Sequence, residues 1–195
     1  MEMRTRIGTT DLILTTGDIS VEEVDVIVNA ANPSILGGGG VDGAIHIAAG
    51  SKLRELCQAL RQHQRQSGQK EGCEIGHAVI TGPCEDWNLK ARYVIHAVGP
   101  KGNDPDRFQL LKSAYTDSLA LAEERKLKSI AFPSISTGIY GYPIKEASRV
   151  ALATVIDFLS YAVPSSLTEI RFVLWTDEDF EVYKLALNTL AKSKQ

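Results

Sequence analysis

Cysteine is scarce in this chain, and its spacing excludes several kinds of site. Three cysteines occur among 195 residues: Cys57, Cys73 and Cys84. An odd number without a C-x-x-C spacing argues against a disulfide framework and against a cysteine-based zinc module. The four histidines show no metal-like spacing either: His46, His63, His77 and His96. We therefore expect buried or inert thiols in a reducing compartment, ordinary hydrogen-bonded histidines, and no metal.

Long apolar runs and an excess of one charge are also missing. No apolar run approaches the ~20 residues that a membrane-spanning helix needs, and residues 1–6 lack the apolar core of a signal peptide. The formal net charge is −3 with both signs scattered, which disfavours non-specific binding to long nucleic acid. We expect a soluble cytoplasmic protein in which any phosphate site relies on backbone N–H groups more than on lysines.

Length and patterning predict a single α/β domain over residues 1–195. Hydrophobic residues make up 44% of the chain, enough for a sizeable core, and no repeat or linker divides it. Strand patterns cover 11–15, 24–28, 76–81, 92–98, 129–133 and 169–175, and helix patterns cover 44–66, 107–126, 144–161 and 178–191. This alternation favours helices on both faces of a mostly parallel sheet.

A run of four glycines, 37–40, is the most informative local feature. It lies within the segment from Asn29 to Gly43, between an apolar strand pattern and a helix pattern. Glycine loses much chain entropy on ordering, so such a run is typical of backbone that approaches a ligand closely. Exposed N–H groups at a helix start bind phosphate, and the polar Asn32 and Asp42 flank the run. The segment therefore predicts a nucleotide-like ligand.

A second glycine-bearing loop, 133–141, follows a later strand pattern. The carboxyl ends of strands in open α/β sheets form the ligand-binding edge, so both loops are expected there. Two loops rich in N–H groups could clamp a diphosphate. Ordinary surface turns remain the alternative. A nucleophilic serine is not expected, because no G-x-S-x-G sequence surrounds Ser134 or Ser136.

Two well-known phosphate motifs do not fit the first loop. Residues 38–43 match G-x-G-x-x-G, but about nine residues separate the glycines from the preceding strand, and 58–63 contains no acidic ribose ligand. A P-loop is excluded because Gly-Lys-Ser/Thr is absent. Hydride transfer and NTP hydrolysis are therefore disfavoured, whereas nucleotide binding is not.

Together the motifs resemble the macrodomain family, and within it the MacroD-type branch that includes bacterial O-acetyl-ADP-ribose deacetylases. The matching segments follow the family's order through nearly the whole chain: 17–19, 24–32, 37–46, 96–100 and 132–141. The resemblance implies a three-layer α/β/α fold around a mixed, mostly parallel sheet. It also implies ADP-ribose as the ligand, with no cofactor.

The resemblance assigns roles at the nucleotide end of that ligand. Asp18 would contact the adenine amino group beside the Ile19 backbone, and Gly40 and Val41 would help form the first diphosphate loop. The second loop would comprise Ser136, Thr137, Gly138, Ile139 and Tyr140. A carboxylate can accept a hydrogen bond from an exocyclic amine, although Asp18 could instead cap a helix. Trp175 is a candidate for adenine stacking, with core packing as the alternative.

At the distal ribose the resemblance assigns Asn32 to the sugar hydroxyls and Asp42 to catalysis. An amide can donate and accept, as a diol requires, but Asn32 could instead serve a local turn. Asp42 could orient or deprotonate a water molecule, or merely cap the following helix. Tyr140 could pack over the ribose or anchor its loop.

The leading hypothesis from the sequence is an enzyme that hydrolyses ADP-ribose conjugates. Its substrates would be O-acetyl-ADP-ribose, mono-ADP-ribosylated acidic side chains of proteins, or both. A non-catalytic ADP-ribose reader is the alternative. Binding of RNA or poly-ADP-ribose is a third possibility, and the acidic balance argues mildly against the RNA version.

Overall fold

The computed structural model describes residues 1–161 and 165–193. The strands of this part are β1 Glu2–Ile7, β2 Thr10–Thr16, β3 Val26–Ala30, β4 Ala78–Thr81, β5 Tyr93–Ala97, β6 Ser129–Phe132 and β7 Glu169–Leu174. Its α-helices are α1 Gly40–Ala49, α2 Ser51–Gln66, α3 Arg107–Glu124, α4 Ile144–Tyr161 and α5 Asp177–Ser193. None of the helices in these ranges is long and apolar enough to cross a membrane.

The strands form one mixed sheet in the order β1-β2-β7-β6-β3-β5-β4. The central five, from β2 to β5 in that order, run parallel, whereas β1 and β4 pair antiparallel at the two edges. Helices cover both faces, as connections between parallel strands require. The predicted three-layer α/β/α fold with a mixed, mostly parallel sheet is confirmed.

Each face of the sheet carries its own apolar core, because successive strand residues point to opposite faces. On one face Phe132 and Phe172 stack with ring centroids 5.6 Å apart and pack with buried residues of α3, α4 and α5. On the other, Ile27 and Val94 pack with Ile45 and Leu53 of α1 and α2. The second face matters for function, because α1 carries Asp42.

The structure corrects the sequence-based elements in two places. The expected helix 44–66 is two helices: α1 starts earlier, at Gly40, and ends at Ala49, just before Gly50, whose φ is +72°. A glycine in that conformation closes a helix by donating its N–H to the preceding turn, here to His46 and Ile47. The edge strand β1 was not expected, because its sequence, EMRTRI, contains no apolar run.

The parallel strands bring their carboxyl ends to one edge of the sheet. The segment 31–39 follows β3, the segment 133–143 follows β6, Trp175 follows β7 and Gly17 follows β2. As expected, the two glycine-bearing loops therefore lie side by side at the ligand-binding edge.

Candidate active site

A cleft at this edge consists of two adjoining cavities of about 240 and 560 Å³. The two cavities adjoin, because both are lined by Gly40, Val41, Gly138 and Ile139. All twelve residues assigned from the sequence line one or both: Asp18, Ile19, Asn32, Gly40, Val41, Asp42, Ser136, Thr137, Gly138, Ile139, Tyr140 and Trp175. The tertiary structure thus gathers the predicted site residues at one cleft.

The second loop is held in shape by its own backbone. Tyr142 N–H donates to Ser136 C=O at 2.9 Å, and Gly141 N–H donates to Gly138 C=O at 2.9 Å. Ser136 has a φ of +70°, which is rare for a residue with a side chain. A Cβ at Gly99 would overlap the Ser136 hydroxyl, so glycine is required there for close packing. The loop is therefore pre-shaped and strained rather than a loose surface turn.

Both loops present backbone N–H groups to the cleft. Within the described ranges, the N–H groups of residues 137–140 donate to no protein acceptor. On the opposite side the first turn of α1, starting at Gly40, has N–H groups without intrahelical partners, and the positive end of the helix dipole lies there. This arrangement suits an anion such as a diphosphate.

The side chain of Ile139, in the second loop, reaches across the cleft to the first loop. Its side chain is 80% exposed, yet its Cδ1 atom lies 3.1 Å from the position that a Cβ on Gly39 would occupy. The adjacent Gly40 has a φ of +61°, which disfavours a larger residue. The glycines of the first loop therefore leave room for Ile139 to lie over the cleft.

Asp42 lies in the first turn of α1 and is 3% exposed. Its Oδ1 accepts a 2.7 Å hydrogen bond from Asn29 Nδ2, and its Oδ2 accepts one of 3.3 Å from Asn32 Nδ2. His46 Nε2 lies 3.5 Å from Oδ1, one helical turn further on. The helix is preceded by Gly39. Among the described residues the Asp42 carboxylate accepts hydrogen bonds from side chains and from no backbone N–H group, so it does not cap the helix. Asp42 is thus a buried carboxylate at the wall of the smaller cavity.

Burial shifts the protonation of both members of the Asp42–His46 pair. Desolvation raises the pKa of Asp42 above its ordinary 3.8, against the Asn29 hydrogen bond and the attraction of His46, which lower it. Desolvation lowers the pKa of His46 below 6.5, against the attraction of Asp42. A carboxylate with a raised pKa is a better proton acceptor than an exposed aspartate.

Asn32 uses its whole hydrogen-bonding capacity within the protein. Its Oδ1 accepts from Ser34 N at 2.9 Å and from Ser34 Oγ at 2.6 Å, while its Nδ2 donates to Gly37 C=O at 2.9 Å and to Asp42. An amide has two donor hydrogens and two acceptor lone pairs, so all are engaged. The local turn role that the sequence left open is therefore present, and a bond to a ribose hydroxyl requires exchange of one of these bonds.

The larger cavity ends at Asp18 and Trp175. Asp18 Oδ1 accepts from Ser20 N at 2.9 Å and caps the short 3-10 helix Ile19–Val21, which leaves Oδ2 for a ligand. Trp175 follows β7 and is 71% exposed, so core packing is excluded. An exposed indole beside a carboxylate can stack on a base whose amino group donates to that carboxylate.

The sequence reasoning missed three polar residues behind the site: Asn29, His46 and His96. Asn29 and His96 are fully buried and face one another on the paired strands β3 and β5, with Asn29 Nδ2 3.2 Å from His96 Nδ1. The sequence did contain a signal for this pair. Asn29 and His96 are polar, whereas Ile27 and Val94, two residues earlier and on the same face of the sheet, are apolar.

His46, Cys57 and His96 form a cluster whose ligand atoms lie within 4.8 Å of one another. The sequence spacing did not reveal this cluster, and the expectation that the histidines bind no metal stays a prediction. Desolvation raises the pKa of the Cys57 thiol to about 12, so the thiol keeps its proton, and both His96 nitrogens lie in hydrogen-bonding contacts. A metal ion needs a thiolate and a free imidazole nitrogen, so these residues are not arranged as free ligands. All three cysteines are free and buried, which confirms the expectation for the thiols.

Comparison with known proteins identifies the class to which this fold and cleft belong. The Macro domain family model matches residues 28–151, and relatives match most of the chain. The chain belongs to the macro domain family, which confirms the resemblance read from its motifs.

The similar proteins include named enzymes. O-acetyl-ADP-ribose deacetylase of Salmonella typhimurium is 48% identical over 86% of this chain and 88% of its own length. The protein of the same name from Escherichia fergusonii is 51% identical over 88% of this chain and 92% of its own length.

Solved structures show the same fold. An Oceanobacillus iheyensis macrodomain mutant with ADP-ribose has a TM-score of 0.90 and 41% identity, over 98% of this chain and 100% of that one. The Trypanosoma brucei macrodomain in complex with ADP-ribose has a TM-score of 0.77 and 38% identity, over 90% of this chain and 68% of that one.

Proposed function

We propose that this protein is a hydrolase of ADP-ribose conjugates. The observation that carries the proposal is the position of Asp42, a buried carboxylate at the wall of a cavity enclosed by two N–H-rich loops. The loops suit a diphosphate, and in the proposal the carboxylate acts on a sugar attached to that diphosphate. Similarity to O-acetyl-ADP-ribose deacetylases supports a hydrolase over a non-catalytic reader.

In the proposed complex the ligand extends along both cavities. Adenine lies on Trp175, its amino group donating to Asp18 beside Ile19, and the diphosphate lies between Gly40–Val41 and the loop 136–140. The distal ribose then reaches Asn32 and Asp42, and Tyr140 packs beside it. The similar macrodomain structures that contain ADP-ribose support this choice of ligand.

The proposed reaction on O-acetyl-ADP-ribose is ester hydrolysis. Asp42 and the ligand's own phosphate position a water molecule, which attacks the ester carbonyl carbon. The bond from that carbon to the ribose oxygen breaks, the oxygen takes up a proton, and the products are ADP-ribose and acetate. Asp42 acts either as the general base or as the orienting group for this water.

The finer substrate range is part of the proposal. An acidic protein side chain is also joined to the distal ribose of ADP-ribose by an ester, here at the anomeric carbon, so mono-ADP-ribosylated proteins are proposed as substrates too. Specific nucleic-acid binding is not expected at a net charge of −3. The three free, buried cysteines support a cytoplasmic location.

Parallel assays on both substrates test the proposal. The protein is incubated with O-acetyl-ADP-ribose and with a mono-ADP-ribosylated protein, and released acetate and ADP-ribose are measured. Turnover of either substrate is expected, with loss in Asp42→Ala. Tight ADP-ribose binding without turnover of either would favour the reader. ADP-ribose at ~100 times its Kd should stabilise the fold by about 2.7 kcal/mol, and no thermal shift would contradict both functions.

A further inference from the structure

His96 lies behind Asp42, one layer removed from the cleft. It is fully buried on β5, in register with Asn29 of the parallel strand β3. Its Nδ1 lies 3.2 Å from Asn29 Nδ2, and its Nε2 lies 3.0 Å from Thr81 Oγ1 and 3.5 Å from Cys57 Sγ. His96 lines neither cavity of the cleft.

The surroundings of His96 define its protonation and its tautomer. Burial lowers its pKa to about 3, so the ring is neutral and has one donor and one acceptor nitrogen. Asn29 Nδ2 can only donate, so Nδ1 accepts and Nε2 carries the hydrogen. Nε2–H then donates to the Thr81 hydroxyl, which donates in turn to the Val94 carbonyl at 3.3 Å.

This tautomer agrees with the way the Asn29 amide faces at Asp42. One Nδ2 hydrogen goes to His96 and the other to Asp42 Oδ1 at 2.7 Å, whereas Oδ1 of Asn29 is buried without a partner in the described ranges. The flipped amide would direct its oxygen at the Asp42 carboxylate and at the lone pair of Nδ1. Both contacts would be repulsive, so the Asp42 carboxylate and the acceptor nitrogen of His96 together favour the orientation in which Nδ2 faces both.

We propose that His96 is a positioning residue for hydrolysis: a neutral imidazole that accepts at Nδ1, orients the Asn29 amide, and thereby fixes Asp42 Oδ1. The proposal deepens the proposed function and rests on it. His96 touches no part of the expected ligand position, so it acts on turnover rather than on ADP-ribose binding. Fixing a catalytic carboxylate through an outer hydrogen bond preserves the geometry that the reaction requires.

Three variants separate positioning from ordinary core packing. His96→Leu removes the acceptor, His96→Asn returns an acceptor oxygen near the Nδ1 position, and Thr81→Val removes the partner of Nε2 but leaves Nδ1 in place. Thr81→Val is the matched control, because it too loses a buried hydrogen bond in the same cluster. For each variant, kcat and KM on O-acetyl-ADP-ribose, Kd for ADP-ribose, and thermal stability are measured.

The expected result is a loss of kcat in His96→Leu by about 10- to 100-fold, with Kd for ADP-ribose unchanged. His96→Asn recovers most of the rate, and Thr81→Val keeps it despite lowered stability. Equal kcat losses in Thr81→Val and His96→Leu at equal stability would overturn the proposal, as would a His96→Asn no better than His96→Leu.

Nitrogen NMR of histidine-labelled wild-type protein gives a test that needs no variant. A protonated Nε2 and an unprotonated Nδ1 are expected for His96 from about pH 5 to about pH 8. Protonation at Nδ1 would overturn the proposal, even if His96→Leu does not fold. Failure of the proposed function would be seen differently from failure of this inference, because the wild-type protein itself would then turn over neither substrate.

Discussion

Asn32 and Asp42 are joined by a hydrogen bond of 3.3 Å from Nδ2 to Oδ2, and the same amide also organises the first glycine loop. Asn32→Ala should therefore reduce both ADP-ribose binding and turnover, and should lower the free energy of unfolding by about 1–3 kcal/mol because buried partners lose their bonds. Calorimetric titration, kinetics and urea unfolding measure these effects. Ser34→Ala is the control, because it leaves the links from Asn32 to Gly37 and Asp42 intact. Normal binding and turnover in Asn32→Ala would contradict the role given to it.

Asp42→Ala should lower kcat by about 10²–10⁴-fold, the usual contribution of a general base. Binding of ADP-ribose should persist, because the N–H groups of both loops remain. Asp42→Asn provides the isosteric comparison, since it keeps the volume and removes the charge. Near-normal turnover in either variant would exclude Asp42 from the chemistry.

The raised pKa of Asp42 predicts the pH dependence of the reaction. Turnover requires the ionised carboxylate, so kcat/KM should fall on the acid side with a midpoint above 3.8, the ordinary value for aspartate. The apparent midpoint belongs to the Asp42–His46 pair, whose members interact. Asn29→Ala removes a bond that lowers the pKa and should move the midpoint to higher pH. A midpoint at or below 3.8, or one insensitive to Asn29→Ala, would be inconsistent with this assignment.

Close packing of Gly99, which follows β5, on Ser136 of the second loop predicts coupling between substitutions at these two positions. A Cβ on Gly99 would overlap Ser136 Oγ and lie 2.6 Å from Ile135 Cγ2, so Gly99→Ala should displace the loop and weaken ADP-ribose binding by ~10-fold. Ser136→Gly suits the φ of +70° and should not destabilise the fold. The double variant should lose less than the sum of the single losses. Strict additivity in binding and unfolding measurements would show that the two residues do not interact.

Trp175 is 71% exposed, so Trp175→Ala should change stability by less than about 0.5 kcal/mol. Loss of a stacked base should nevertheless weaken ADP-ribose binding by about 1–3 kcal/mol. Tyr161, which is 86% exposed on α4, provides a control aromatic outside the cleft. Equal affinities of Trp175→Ala, Tyr161→Ala and wild-type protein would place the adenine elsewhere.

His96 should make stability depend on pH below neutrality. Its pKa is about 3 in the fold, against an ordinary 6.5, so between these values the unfolded chain binds more protons. The contribution of the neutral His96 to the free energy of unfolding is complete above pH 6.5 and is lost as the pH falls toward 3. The difference in unfolding free energy between wild-type protein and His96→Asn should therefore change with pH, by at most about 1.4 kcal/mol per pH unit. A difference that stays constant across this range would contradict a buried neutral His96.

The sequence by itself determined the parts of this protein that depend on local pattern. The alternation of strands and helices predicts the layered fold, because periodicity follows from which face of each element is buried. The glycine run before α1 and the small residues of the second loop predict a diphosphate site, because backbone that approaches a ligand closely requires them. Gly50 marks the limit of this reasoning, since an apolar helical pattern continues across it although the helix does not.

Only the tertiary structure decided how the polar groups behind the cleft are arranged. His96 and Asn29 are 67 residues apart in the chain and meet through the pairing of β3 with β5, which no local pattern specifies. The full use of the Asn32 amide within its own loop and the burial of Asp42 likewise follow from packing. Hydrogen-bond partners and desolvation depend on which distant surfaces come together, and they determine how the predicted residues can act.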